Sequence, residues 1–431
     1  DLKVQDDLTV TDDVAIGGLA TVGGTLGVTG IVTLTDDLII GDGKTIGSAS
    51  DVDAMTIASN GQVTFTQTLI GTALDISGDI DVDGTTNLDI VDIDGAVDMA
   101  STLQVDGAIT GSSTINNVSI STFGTGSFLL SNDGGTGTID AANYNVGFGF
   151  EVFDDLTSGD ENTAMGRVAL EKLTTGSFNN AFGSQSLDAN TTGSNNIGIG
   201  YQALTANTTA SNNTGIGHQA LAANTTGISN TAVGSRALDA NTEGDSNVAI
   251  GLNSLSANTT ADNNTAVGTS ALNANTTGTN NTALGSAALV ANTTGSYNSA
   301  VGMVALDANI DGDANTGLGY GALSDNTTAD NNTAVGYFAL LRNTTGASNV
   351  ALGKDSLKEN TTGAGNTAVG ALSLDANTTG ASNTALGKSA LSANTTAASN
   401  TAVGSAALLA NTTGASNTSV GQGSMEANTT G

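Results

Sequence analysis

A strict seventeen-residue period organises the polar and apolar positions of this chain from residue 145 onward. Each repeat carries a glycine, an Asn four residues before it and an apolar residue four residues after it. Seven residues after the glycine, fifteen of the seventeen copies carry a second Asn, usually followed by Thr-Thr-Gly. A period this short and this exact predicts a stack of equivalent coils. The repeat glycines are Gly149, Gly166, Gly183, Gly200, Gly217, Gly234, Gly251, Gly268, Gly285, Gly302, Gly319, Gly336, Gly353, Gly370, Gly387, Gly404 and Gly421.

Each copy predicts one coil of an all-β parallel β-solenoid, or β-roll. Such a short repeat cannot hold a helical hairpin, and Gly, Asn and Thr are poor helix formers. We expect one strand at Thr-Ala-Val-Gly and a second near Ala-Leu-x-Ala. Turns are expected at Asn-Thr-Thr-Gly and Ser-Asn-Asn, because Asn and Gly tolerate left-handed backbone.

Coils stacked about 4.8 Å apart would place equivalent side chains above one another. Asn amides in such a file can hydrogen-bond along the stack, and the apolar file can fill the interior. The expected structural ladder includes Asn162, Asn196, Asn247, Asn298, Asn349 and Asn400, with Leu170, Leu204, Leu255, Leu306, Leu357 and Leu408.

The predicted first strand carries Ala and Val side by side, as at Ala232–Val233, Ala266–Val267 and Ala402–Val403. Neighbouring residues of a strand point to opposite faces, so only one of the two can face the coil interior. The other would form an apolar stripe along the whole stack, which is larger than a monomer normally exposes. We therefore expect a parallel homotrimer in register.

Residues 1–48 follow a different period, of six residues. Apolar residues two apart, such as Leu8 and Val10 or Leu26 and Val28, precede Asp or Gly in each unit. This pattern predicts strand-turn units of a slender β-helical shaft. The period returns irregularly up to residue 112, and neither period holds over 113–144, where the sequence is rich in Gly.

Three domains are therefore predicted. They are a hexad-repeat β-helical shaft at 1–112, a Gly-rich junction at 113–144, and seventeen β-roll repeats at 145–431. The first coil also carries Phe148, Phe150 and Phe153, which we expect to cap the end of the stack.

Composition and charge exclude several classes of protein. The chain has 9 Lys plus Arg against 41 Asp plus Glu, and its net charge of −32 repels nucleic acid. It has no Cys, so no disulfide or thiolate metal site can form. No run of eighteen apolar residues occurs, so we expect no membrane insertion in this segment. Because the chain begins at Asp1 and not at Met, we expect a processed or truncated product.

Candidate chemistry is sparse, and we expect no enzyme activity. His218 is the single imidazole, at a position that varies between repeats. Asp79, Asp81 and Asp83, followed by Gly84, match the first half of a calcium loop, although the twelfth position is Ile90. The alternative interpretation is that these carboxylates alternate outward from a strand. Calcium is the one candidate cofactor, and a melting shift with chelator would reveal it.

Two pairs of rings stand one repeat apart, at Tyr201 and His218 and at Tyr320 and Tyr337. They would stack on adjacent coils and form a candidate glycan-binding surface, whereas the alternative interpretation is a solvated outer face. Phe338 and all seven bases of the repeat region also fall at variable positions. Thirteen Asn-Thr-Thr triplets are formal glycosylation acceptors that turn chemistry equally explains.

The block Asn247-Val-Ala-Ile-Gly251 and its Asn-Thr-Ala-Val-Gly siblings resemble the head repeats of YadA-like trimeric autotransporter adhesins. That resemblance implies a left-handed, trimeric β-roll on a cell surface. The Leu-Thr-Val-Thr-Asp-Asp hexads, together with the Ala-Leu-x-Ala-Asn-Thr-Thr-Gly coils, resemble bacteriophage tail fibres. That resemblance implies a trimeric fibre on a virion.

These patterns favour a structural extracellular fibre, most consistent with a phage tail fibre that attaches to the host surface. Its expected partners are two further copies of itself, other tail or anchor proteins, and a host receptor or glycan. The alternative is a cell-surface adhesin or an extracellular filament subunit of a bacterium. A minor alternative is an ice-binding β-solenoid, which the adjacent rather than alternating threonines disfavour.

Overall fold

A computed structural model describes residues 4–41, 44–48, 51–66, 113–115, 118–121, 126–131 and 141–431. The chain divides into two compact units, Asp1–Thr102 and Leu103–Gly431. In the first unit, the antiparallel strands β1 (Lys44–Ser48), β2 (Asp51–Ile57) and β3 (Val63–Phe65) form a sheet in the order β1-β2-β3.

Residues 4–41 retain the hexad in their backbone. Two-residue bends recur at 5–6, 11–12, 17–18, 23–24, 29–30 and 35–36, separated by irregular segments of four residues. No strand is formed over 4–41, and the apolar side chains there are exposed, as at Leu8 (64%) and Leu26 (68%). A single chain therefore provides the bends of the predicted shaft without any strand pairing to cover its apolar residues.

In the described part of the second unit, twenty short strands form one ladder. Strands β4 to β6 pair antiparallel, and from β6 onward each strand pairs in parallel with the next. The strands are β4 (Ser113–Ile115), β5 (Val118–Ser121), β6 (Phe128–Ser131), β7 (Val146–Phe148), β8 (Thr163–Met165), β9 (Asn180–Phe182), β10 (Ile197–Ile199), β11 (Thr214–Ile216), β12 (Thr231–Val233), β13 (Val248–Ile250), β14 (Thr265–Val267), β15 (Thr282–Leu284), β16 (Ser299–Val301), β17 (Thr316–Leu318), β18 (Thr333–Val335), β19 (Val350–Leu352), β20 (Thr367–Val369), β21 (Thr384–Leu386), β22 (Thr401–Val403) and β23 (Thr418–Val420).

The register confirms a parallel β-solenoid in which one repeat makes one turn. Strand β12 aligns with β13 as Thr231 with Val248, Ala232 with Ala249 and Val233 with Ile250. The middle residue of each strand of the repeats points inward, so Ala232 is fully buried while its two neighbours lie on the outer face. Val and its equivalents therefore lie outside, and Leu provides the large interior side chain.

The expected second strand at Ala-Leu-x-Ala is wrong. The residues that follow each repeat glycine form turns, and the buried Leu has a positive φ, as at Leu170 (51°) and Leu272 (51°). A left-handed non-Gly residue costs about 1–2 kcal/mol. Full burial of a Leu side chain contributes about 1.5–3 kcal/mol, so the burial offsets the strain.

The first Asn ladder consists of the Asn residues four positions before each repeat glycine, and all except the last, Asn417, are fully buried. The Asn264 backbone N–H donates to Asn247 Oδ1 of the preceding coil at 2.9 Å, and Asn264 Nδ2 donates to the Gly278 carbonyl of its own coil at 2.9 Å. Asn264 Oδ1 accepts the next N–H, from Asn281, at 2.9 Å. Each amide therefore closes its own coil and joins two neighbours.

The second Asn ladder begins at Asn190, seven residues after Gly183. Asn275 Nδ2 donates to Asn258 Oδ1 at 3.1 Å and to the Gly278 carbonyl at 2.9 Å. Both ladders thus converge on one carbonyl in most of the coils that carry both Asn residues. Among the described residues, the buried side-chain atoms without a partner are Asn411 Oδ1, Asn417 Nδ2 and Asn428 Nδ2, all in the final two coils.

Glycine is required where neighbouring coils touch through their backbones. Gly268 has a φ of +138°, and a Cβ added there would lie 2.5 Å from the Gly285 carbonyl oxygen. That φ and that distance exclude any other residue without a backbone shift. The repeat glycine is therefore fixed by both backbone conformation and coil spacing.

A larger apolar cluster fills the first coils. Phe153 is buried, and Leu156 and Leu173 occupy the place that Asn takes in later coils. Gly147 leaves room for this cluster, because a Cβ there would lie 3.0 Å from the Phe153 ring. Of the three phenylalanines expected to cap the stack, Phe153 does so; Phe148 lies on the outward side of β7 and Phe150 is 38% exposed.

Replacing Asn275 by Ala should destabilise the stack strongly. The change removes a donor from Asn258 Oδ1 and from the Gly278 carbonyl, and removes the acceptor of Asn292 Nδ2. Each buried polar group left unpaired costs about 1–3 kcal/mol. Urea unfolding should show the loss, whereas Thr277→Ala at the exposed neighbouring turn should change stability by less than about 0.5 kcal/mol. Equal effects of the two substitutions would contradict the ladder.

Candidate ligand-binding surface

The variable outward residues directly follow each repeat glycine, where a three-residue strand has just ended. Tyr201 and His218 lie in adjacent coils with ring centroids 5.6 Å apart and planes at 27°. Tyr320 and Tyr337 lie 5.5 Å apart with planes at 15°. The structure therefore stacks both sequence-predicted pairs of rings, and their role in binding stays a prediction.

Phe338 turns the second pair into a three-ring cluster. Its ring centroid lies 4.2 Å from that of Tyr337 and 5.3 Å from that of Tyr320. Gly321 makes this possible, because a Cβ at that position would lie 2.6 Å from the Phe338 ring. The sequence predicts a variable position for Phe338 but does not by itself join this ring to the pair. The adjacency of Tyr337 and Phe338, with Gly321 one coil earlier, is the signal that could have identified it.

Two lysines from the next coil cover these rings. Lys354 Nζ lies 5.9 Å from the Tyr337 ring centroid, and Lys358 Nζ lies 5.9 Å from that of Phe338. Both ammonium groups also lie 3.6 Å from oxygens of one carboxylate, that of the largely buried Asp355. We define Tyr320, Tyr337, Phe338, Lys354 and Lys358 as the aromatic-lysine patch.

The basic character of this region is local. Arg342 Nε lies 3.2 Å from Glu359 Oε2. The two coils that span residues 332–365 carry three basic residues against two acidic residues, whereas the coils on either side add Asp325, Asp330 and Asp375 without a base. The chain as a whole has a net charge of −32. A small positive surface on so acidic a chain would attract an anion that the remaining surface repels.

Acidic side chains also occur five residues after certain repeat glycines, in the same file as Lys358. Ser324 Oγ donates to Asp307 Oδ1 at 2.5 Å, and Ser392 Oγ donates to Asp375 Oδ1 at 2.5 Å. Burial raises the pKa of both carboxyl groups, and the serine hydrogen bonds partly oppose that rise. Ionisation of these carboxylates therefore destabilises the folded state.

The structure provides no support for other chemistry within its described parts. Asp79, Asp81 and Asp83, the candidate calcium ligands, lie outside the described residues. Across the described ranges, no group of three or more His, Cys, Asp or Glu is placed to hold a metal ion. The same residues contain no helix that is long and apolar enough to cross a membrane.

The Asn-Thr-Thr acceptors have a structural role. Asn275 is fully buried, and its Nδ2, the atom to which a glycan would be attached, donates two hydrogen bonds. Thr276 Oγ1 donates to the Thr293 carbonyl of the next coil at 3.0 Å. Modification of such an Asn would require the coil to open, so turn and ladder chemistry explains the triplets.

A second outward feature is the outer apolar file, the residue directly before each repeat glycine. Its members include Leu284 (47% exposed), Leu352 (45%) and Leu386 (46%), and half-buried Val233 and Val267 belong to the same file in earlier coils. The file runs over the strands from β7 to β23 on one face of the parallel ladder. It is the stripe that the sequence predicts, and nothing within the described parts of this chain covers it.

No family model matches this chain, and no curated protein or solved structure matches it significantly. The resemblances to adhesin heads and to tail fibres therefore rest on the repeat motifs alone. The solenoid fold itself rests on the strand register and the buried ladders.

Acid should stabilise the folded chain through Asp307 and Asp375. Because folding raises their pKa values, stability falls as the pH rises from the ordinary carboxyl pKa through the raised values. The double variant Asp307→Asn and Asp375→Asn keeps an acceptor for each serine, and Asn273 occupies the equivalent place naturally. Its unfolding midpoint should exceed that of the wild type at neutral pH and match it in acid.

The control for this prediction is Ser324→Ala, which removes the hydrogen bond that stabilises ionised Asp307. This variant should lose more stability at neutral pH than in acid. A double Asn variant with the same pH dependence as the wild type would contradict the assignment.

Proposed function

We propose that this protein is a structural extracellular fibre whose rigidity comes from the solenoid and whose outer surface makes contacts. The observation that carries the proposal is the difference between the inward and the outward positions of each coil. Inward positions are committed to the Asn ladders and the buried Leu and Ala residues, and outward positions vary. A stack of seventeen coils at about 4.8 Å each would extend on the order of 80 Å.

The assembled form is a parallel homotrimer in register. The outer apolar file supports this proposal, because it is continuous, runs over the strands from β7 to β23 and lies on a regular sheet face. Isolated monomers rarely expose contiguous apolar patches of this extent. Packing around a three-fold axis would cover the same file on every coil of all three chains.

The hexad segment supports the same assembly independently. Its bends recur every six residues, and its apolar side chains are exposed over residues 4–41. Segments that form no strand pairing within one chain can pair between chains. A β-helical shaft formed by three intertwined copies would place Leu8, Val14 and Leu26 in a shared interior.

The role favoured by the combined hexad and coil motifs is that of a phage tail fibre, located on a virion, that attaches to a host receptor or glycan. The second candidate is a cell-surface adhesin or extracellular filament subunit, favoured by the Asn247-Val-Ala-Ile-Gly251 motif. The genes beside the coding sequence separate the two. Tail or baseplate genes support the first role, and an outer-membrane anchor in the same open reading frame supports the second.

Ice binding and catalysis are weaker proposals. The first Thr of each triplet uses its hydroxyl group within the stack, as Thr276 and Thr378 do, so it is not free to order water. Absence of thermal hysteresis would eliminate the ice-binding alternative. The chain's single His and the absence of Cys favour a non-enzymatic role.

Replacing Val233, Val267 and Val403 together by Asp should abolish assembly. These side chains point outward, so the single chain should still fold with a β-rich circular-dichroism spectrum, while charged groups would disrupt the chain-to-chain contact. Light scattering should report a trimer for the wild type and a monomer for the variant.

The matched control is Ser235→Asp, two residues beyond Val233 and outside the outer apolar file, which should remain trimeric. A wild-type protein that is folded, soluble and monomeric would refute the trimer.

A further inference from the structure

The aromatic-lysine patch is the least expected surface of the solenoid, because the coil itself does not need it. Other coils have Ser at the same places, as at Ser235, Ser270 and Ser256. Strands β12 and β13, in coils without the patch, pair in the same in-register, parallel manner as β18 and β19 within it. The rings and lysines therefore add something that folding of the coil does not require.

The patch is accessible to a ligand. Tyr320 is 40% exposed, Tyr337 is 48% exposed, and the side chain of Lys354 is 67% exposed. The three rings and two ammonium groups belong to three successive coils, so they are held on a regular backbone frame. Phenol groups offer both a donor and an acceptor beside an apolar ring, a combination suited to a saccharide.

The charges specify an acidic ligand. Asp355 contacts both lysines and shares its one negative charge between them, and Asp375 of the next coil also acts electrostatically on Lys358, so Lys354 is the less compensated ammonium group. Asp355 is only 9% exposed, so it holds the lysines from beneath while their ammonium groups remain near the surface. An incoming carboxylate or sulfate group would supply the missing negative charge.

We propose that the aromatic-lysine patch binds an acidic saccharide chain, with Lys354 and Lys358 contacting its anionic groups and Tyr320 and Tyr337 contacting its hydroxyl groups and apolar faces. The proposal rests on the surface-attachment role proposed above and names the ligand class. It also assigns the contact to the side of the solenoid. The Tyr201–His218 pair lacks a third ring and an associated lysine, so it should not bind the same ligand.

Binding is measured by fluorescence anisotropy with three labelled probes: oligoalginate, which carries carboxylates, sulfated dextran, and uncharged dextran. The wild type should bind at least one acidic probe, more weakly as salt is raised, and should not bind dextran. The −32 net charge makes nonspecific attraction of an acidic probe unfavourable, so binding would report a local site. Failure to bind either acidic probe at low salt, or equal binding of dextran, would overturn the proposal.

Two double variants locate the site: Lys354→Ser with Lys358→Ser, and Tyr337→Ser with Phe338→Ser. Other coils carry Ser at each of these places, so the fold should persist, and circular dichroism checks this. Each double variant should weaken binding by about tenfold or more, as expected when charge-assisted contacts are removed. Wild-type affinity in both variants would refute the site.

The matched control is Tyr201→Ser with His218→Ser, which removes a stacked pair elsewhere on the solenoid and should leave binding unchanged. A similar loss in this control would show that binding is not local to the patch. Light scattering on the same samples separates the two proposals. A wild-type trimer that fails to bind the acidic probes would refute the patch and leave the trimer standing. A wild-type monomer that binds them would refute the trimer and leave the patch standing.

Discussion

Buried Asn side chains are the constraint on which the rest of this structure depends. An amide group removed from water must find hydrogen-bond partners, and here each finds them only in its own coil and in the coils on either side. The partners exist only when coils are identical in length and in register. A fixed repeat length without insertion is the consequence.

The same constraint explains the other fixed residues. The carbonyl of Gly278 and its equivalents receives both ladders, and a Cβ on Gly278 would lie 2.3 Å from the Gly295 carbonyl oxygen. The repeat glycines allow the backbones of neighbouring coils to approach, and Leu fills the remaining space despite its left-handed conformation. Outward positions are free of these demands. Variation there can create a local surface such as the aromatic-lysine patch without altering the scaffold.

Periodicity made the solenoid predictable from the sequence, together with the buried Asn and Leu files and the outward stripe. The second strand was predicted wrongly because Ala-Leu-x-Ala has strand-like composition, whereas the coil turns there through alternate positive φ values that apolar residues seldom adopt.

The stacking of Tyr320 on Tyr337 followed from their spacing of one repeat. The contribution of Asp355 could not be predicted, because it depends on how two lysines orient around one carboxylate. The shaft remains a prediction, because it would require strand pairing that residues 4–41 of a single chain do not contain.

Hydrogen exchange of the Asn side-chain amides, followed by nuclear magnetic resonance on ¹⁵N-labelled protein, tests the central claim most directly. The account predicts strong protection for fully buried ladder residues such as Asn264 and Asn275, which donate within the stack. Exposed turn residues such as Asn195 and Asn331 should exchange as quickly as free amides. Equal, rapid exchange of both groups would show that the ladders do not hold the coils together.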